Sequence, residues 1–135
     1  MCVTTKGTDI TFGLDAITNS SVAPVVITSV ALDGANQIAL SEAFVVDIQN
    51  TTTIGVHGTW PPPVEASRDV WGSRRPAADA TIAPQQSVNL VLHLSGAKEG
   101  SRFEGVRLNY WTMGQVYAKS TRFGFVAKAS CTGLG

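Results

Sequence analysis

The chain has 135 residues, of which 44% are hydrophobic and 15% charged, and its 10 Lys plus Arg balance 10 Asp plus Glu. This length suits one domain, residues 1–135, because half of it could not bury a sufficient core, and the high apolar share excludes an intrinsically disordered chain. Zero net charge leaves no global field to draw in DNA, RNA or an acidic membrane, so no nucleic-acid partner is expected.

With 15 Val, 7 Ile and 14 Thr, the chain is rich in β-branched residues, which suit pleated, half-buried surfaces and predict an all-β domain. No apolar run approaches the roughly 20 residues of a membrane helix, so no transmembrane segment is expected. Met1 directly before Cys2 reads as a start residue on a trimmed chain, with a signal segment removed. Cys2 and Cys131 stand at opposite ends and lack the spacing of a zinc or redox site. They suit a disulfide if the first and last strands are neighbours; two unrelated thiols, or a lipid-attached Cys2 of a bacterial lipoprotein, are the alternatives. Low charge, abundant Thr and Ser and terminal cysteines together point to an extracytoplasmic setting, secreted or lipoprotein-anchored.

In chain order, Ile10, Phe12, Leu14 and Ala16 alternate with Thr11, Gly13 and Asp15, the period of a strand with one buried face. A turn at Asn19-Ser20-Ser21 ends it. Pro24 then opens a nearly continuous β-branched run over 25–32, predicted as a central strand and closed by Asp33-Gly34. Residues 38–48 form a third strand, preferred over a helical turn started by Ser41-Glu42. Residues 49–84 hold five prolines and keep no period, which predicts a long Pro/Trp-rich loop, about 49–80, with short strands at 54–57 and 80–82.

Order returns at Ser87. Val88, Leu90, Leu92 and Leu94 point inward, and Asn89, Val91 and His93 point out, which predicts a solvated His93. After a polar loop over 95–102, Val106, Leu108 and Tyr110 begin a terminal hairpin that turns at Met113-Gly114 and returns over 116–126, with a kink at Gly124. About seven strands result, an antiparallel β-sandwich of immunoglobulin-like type.

Asn19-Ser20-Ser21 followed by Pro24-Val25-Val26-Ile27, and Ile82-Ala83-Pro84-Gln85-Gln86-Ser87 leading into Val88-Asn89-Leu90, resemble bacterial immunoglobulin-like modules. There a polar turn leads to Pro-Val-x-Ile, and a Pro-Gly-x-Ser turn leads into an alternating strand; Gln85 replaces the glycine here. The whole chain also resembles small exported proteins of actinobacteria without an assigned activity. The resemblance implies a sandwich fold and export, and brings no catalytic residues.

Catalysis requires a nucleophile with a base, paired carboxylates or a metal cage, and the sequence has no motif for any of these, so no catalytic, metal or cofactor site is expected. The long loop carries the unusual content: His57, Trp60 before three prolines, Arg68, Trp71, Arg74 and Arg75. Tryptophan and arginine are the residues of interface anchors, and exposed tryptophans also stack on sugar rings. The competing reading has Trp60 and Trp71 fold back to plug an open end of the sandwich. Charges in the loop balance, which points Arg74 and Arg75 to local ion pairs. The expected function is a non-catalytic structural or protein-interaction module of the cell envelope, with a carbohydrate-binding module as the alternative and a hydrolase behind both. The expected partner is a protein or glycan of the envelope.

Overall fold

A computed structural model describes residues 2–4, 8–48, 53–63, 70–121 and 125–128. In chain order its strands are β1 (Cys2–Thr4), β2 (Ile10–Thr18), β3 (Val25–Asp33), β4 (Ala39–Asp47), β5 (Gly55–His57) and β6 (Arg75–Pro76). They continue with β7 (Thr81–Ile82), β8 (Ser87–Ser95), β9 (Arg102–Phe103), β10 (Gly105–Thr112), β11 (Gln115–Thr121) and β12 (Phe125–Lys128). Among the described residues, the only helical element is a single 3-10 turn, Trp71–Ser73, and no helix is long and apolar enough to cross a membrane.

Two sheets pack as a sandwich. One has five strands in the order β5-β2-β8-β4-β6, the other four in the order β11-β10-β3-β7, and all pairs within them are antiparallel. The alternation in β8 does the main work of joining them: Val88, Leu90, Leu92 and Leu94 are buried against Ile27, Ile82, Val106 and Leu108 of the facing sheet. Burying each such side chain contributes about 2 kcal/mol, which makes these positions the thermodynamic centre of the domain. Phe12 and Phe103 close one end of this core edge to face, with ring centroids 5.1 Å apart.

A third, three-stranded sheet has the order β1-β12-β9, and in it β1 runs parallel to β12 with Cys2 opposite Val126. The first and last described strands are therefore neighbours. The disulfide expected between Cys2 and Cys131 lies outside the described residues, because Cys131 does. The terminal hairpin also ends earlier than expected: its second arm, β11, stops at Thr121, and residues 125–128 pair with β1 and β9 instead. Residues 122–124, which include the expected kink at Gly124, lie outside the described residues.

The alternation expected for β2 breaks halfway. Phe12 stands opposite Leu92 but Asp15 stands opposite Leu90, so β2 spends three residues where β8 spends two. This bulge flips the faces: Asp15 is buried between the sheets and Ala16 is exposed.

Candidate functional site

On its outer face the five-stranded sheet presents Glu42, Phe44 and Val46 from β4 and Asn89, Val91 and His93 from β8, paired as Glu42 with His93, Phe44 with Val91 and Val46 with Asn89. An outward face of a sandwich ordinarily meets solvent. Here Val46 and Val91 are completely buried, because residues 53–60 and 70–71 fold over them and bring Ile54, Trp60, Val70 and Trp71 into contact. The tryptophans thus cover the outside of a sheet, and the sequence reading that placed them as a plug at the end of the sandwich is corrected in that respect.

Three attachments hold the covering segment. The buried Asn89 side chain accepts from the Ile54 N–H at 2.8 Å and donates to the Gly13 and Asp15 carbonyls at 3.0 and 2.8 Å, so one amide ties the loop to the bulge of β2. The Thr11 hydroxyl donates to the Thr59 carbonyl. At the far end Arg75 meets the Asp47 carboxylate at 3.2 Å and donates to the Thr81 carbonyl at 3.0 Å, which holds β6 along the edge of β4. Gly13 permits the approach: a Cβ there would stand 3.2 Å from the Gly55 carbonyl oxygen and 3.3 Å from Ile54 Cβ.

On this base stands an aromatic cluster. The Trp60 ring lies flat over His93, 4.4 Å away and 2° from parallel, and is also stacked with Phe44 at 6.0 Å. Trp71 meets Trp60 and Phe44 edge to face at 5.3 and 5.7 Å. The Arg74 guanidinium sits 4.9 Å from the Trp71 ring and 5.9 Å from Phe44, in cation–π range of both. Trp60 and Trp71 are half-buried, and Arg74 is exposed.

His93 departs from the solvated side chain expected of it. Its side chain is 15% exposed under Trp60, with Nε2 at 2.7 Å from Asp9 Oδ1 and Nδ1 at 3.0 Å from Glu42 Oε2. An ionised carboxylate only accepts, so both ring nitrogens donate together only in the imidazolium form. The two carboxylates, half-exposed themselves, fix the ring plane on which Trp60 rests.

No family model matches the chain, and no curated protein and no solved structure matches it either.

Of the residues singled out in the loop, the structure brings Trp60, Trp71 and Arg74 together. The local ion pairs expected of Arg74 and Arg75 hold only in part: Arg75 pairs with Asp47 of β4, outside the loop, and Arg74 forms no ion pair among the described residues and lies against the Trp71 and Phe44 rings instead. His57 stands on β5, half-buried, with Nε2 2.8 Å from the Ile54 carbonyl, a structural use of the ring. Arg68 lies outside the described residues. Sequence reading missed Asp9, Glu42 and Phe44 as site residues and took His93 as solvated, because Asp9, β4 and β8 are far apart in the chain; the one available signal was the pairing of the strand over 38–48 with that over 87–94, which sets an aromatic ring and a histidine on one face. Among the described residues, no group of three His, Cys, Asp or Glu side chains has the arrangement to hold a metal ion.

Proposed function

We propose that this protein is a non-catalytic interaction module of the cell envelope or extracellular space, with the Trp60, Trp71 and Arg74 face as its contact surface. One observation carries the reading: two half-exposed tryptophans and an exposed arginine are held in a fixed arrangement on the outside of a rigid sheet. Arg74 is exposed, with its guanidinium held by the Trp71 carbonyl at 3.1 Å and by the Trp71 and Phe44 rings, whereas Arg75 is in an ion pair with Asp47. Pre-set aromatic and arginine anchors lose little side-chain entropy on binding, which is the character of interface hot spots. His93 favours a non-catalytic use, since both ring nitrogens already face carboxylates and one ring face is covered.

The test is cross-linking of the full chain in its native envelope, comparing wild type with Arg74→Glu and Trp71→Ala. Arg74 is exposed, so its reversal should leave the melting temperature within about 2 °C while abolishing the cross-linked product. Cross-linking unchanged in both variants overturns the proposal. A glycan-binding reading is favoured by one detail, the half-exposed indole of Trp60, since exposed tryptophans stack on sugar rings. Titration with cell-wall glycans separates the two readings: a saturable change in tryptophan emission that Trp60→Phe alters supports the glycan, and an unchanged spectrum across the panel ends it.

A further inference from the structure

A second site lies on the opposite side of the five-stranded sheet, between the two main sheets. The short β5 covers β2 only at residues 11–13, and β11 is the edge of the facing sheet, so beyond Gly13 the two edges flank an open seam. A groove of about 240 Å³ fills it, walled by Ile17, Val25, Ile82 and Leu108 and by the stacked rings of Tyr110 and Tyr117, 5.5 Å apart. The groove shares Ile17, Leu108 and Lys119 with an inner recess of about 30 Å³ that is lined by Asp15.

Asp15 supplies an independent sign of a ligand. It is 6% exposed, and its Oδ2 has no hydrogen-bond partner in the protein. A buried oxygen left in this state costs about 1–3 kcal/mol, and the bulge in β2 is what turns it inward. Several other polar groups of the wall are already used. The Asn19 amide donates to the Ala23 and Ile82 carbonyls at 2.8 and 3.0 Å, and the Thr112 hydroxyl donates to the Pro24 carbonyl at 2.9 Å. Thr18 and Ser87 hydrogen-bond each other at 2.7 Å. What remains is a largely apolar, aromatic groove with the buried, unpartnered Asp15 Oδ2 at its inner end and Lys119 beside it.

Size and charge narrow the occupant. An apolar cavity of about 150 Å³ takes up a benzene molecule, so this groove admits a substituted ring, and the recess is large enough for one water-sized group. An ammonium head would meet Lys119 at the recess, and an anionic head would meet Asp15. A hydroxyl both donates and accepts, and so fits Asp15 whether ionised or protonated. We propose that the seam between β2 and β11 binds a small neutral ring compound bearing one hydroxyl, of the phenol type, with the ring against Tyr110 and Tyr117 and the hydroxyl at Asp15. Burial of Asp15 pushes its carboxyl pKa up, against weaker opposing effects of a side-chain hydrogen bond with Thr121 and of the Lys119 charge.

The experiment is an amide chemical-shift titration of the full chain with 4-ethylphenol and with 4-ethyltoluene, which has the same ring and ethyl group but no hydroxyl. The phenol should shift the amides of residues 15–18 and 115–119 and bind about tenfold more tightly than the hydrocarbon. In Asp15→Ala that preference should vanish, with the hydrocarbon bound as before. Should Asp15→Ala fail to fold, Asp15→Asn retains the acceptor and the preference, whereas Tyr117→Ala, at a 41% exposed site, weakens both probes. Equal affinities in the wild type, shifts confined to the Trp60 face, or a preference that survives Asp15→Ala each overturn the proposal. The readout is independent of Trp60 and Trp71, so its failure leaves the interaction module standing.

Discussion

Asn89 shows how much a single amide can organise. Periodicity puts it on the outer face of β8, and it is there, yet it is completely buried because the loop closes over it and takes its hydrogen bonds. Asn89→Ala would orphan the Ile54 N–H and weaken the satisfaction of the Gly13 and Asp15 carbonyls, at an expected cost of about 3 kcal/mol in urea unfolding, together with a red shift of tryptophan emission as the cover loosens. Asp15 acts in the opposite direction. Desolvation raises its pKa on folding, so its contribution to stability is fully present below 3.8, the ordinary value, and is lost as pH rises through the folded value. Asp15→Asn, neutral at every pH, should therefore be more stable than wild type near neutrality by about 1 kcal/mol, because an amide oxygen can still accept from Thr121 and the attraction to exposed Lys119 that it gives up is small. Urea midpoints of the two proteins should converge below pH 3.8; a constant difference across the range would show that the carboxyl is not the cause. The inward turn of Asp15 had one sequence signal, the glycine at position 13, since glycine inside a strand often marks a bulge.

At the scale of elements, the long strands were legible because each has one face in the core and its composition repeats that geometry. Val88, Leu90, Leu92 and Leu94 state it without interruption, and β8 occupies the centre of its sheet. The segment between β4 and β7 was less legible because tertiary contacts fix its shape: it docks on residues of β4 and β8 well separated in sequence, such as Ile54 on Asn89, Trp60 on His93 and Arg75 on Asp47. Strand pairing had to be known before those partners could be. The attachments of this segment differ in strength. Arg75 and Asp47 are both substantially exposed, so Arg75→Ala should cost under about 1 kcal/mol by thermal unfolding. Gly13→Val should cost more, about 2 kcal/mol, because the added carbons would enter space occupied by Gly55 and Ile54 and push β5 off the edge of β2. Equal effects of the two substitutions would mean that the ion pair, rather than the close approach at Gly13, positions the cover.

For the molecule as a whole, the sandwich followed from composition and alternation, but the joining of its ends did not. Short strands carry too few residues for a period to show, and β1, β9 and β12 have only three, two and four. Their pairing brings residues 2–4 beside 125–128, a contact that spans nearly the entire sequence and is correspondingly costly in chain entropy. A covalent tie between the ends offsets much of that cost by restricting the unfolded chain. The expected pairing of Cys2 with Cys131 would provide it, and the parallel β1–β12 ladder meets its precondition, that the terminal strands be neighbours. The non-reduced protein should then weigh two daltons less than the reduced form, and reductant should lower its unfolding free energy by up to about 5 kcal/mol, with the largest rise in hydrogen exchange in β1, β12 and β9. Lower protection across the two main sheets under the same conditions would instead show that the ends support the sandwich as a unit. An unchanged mass and urea midpoint would leave the three-stranded sheet to hold the ends by backbone hydrogen bonds alone.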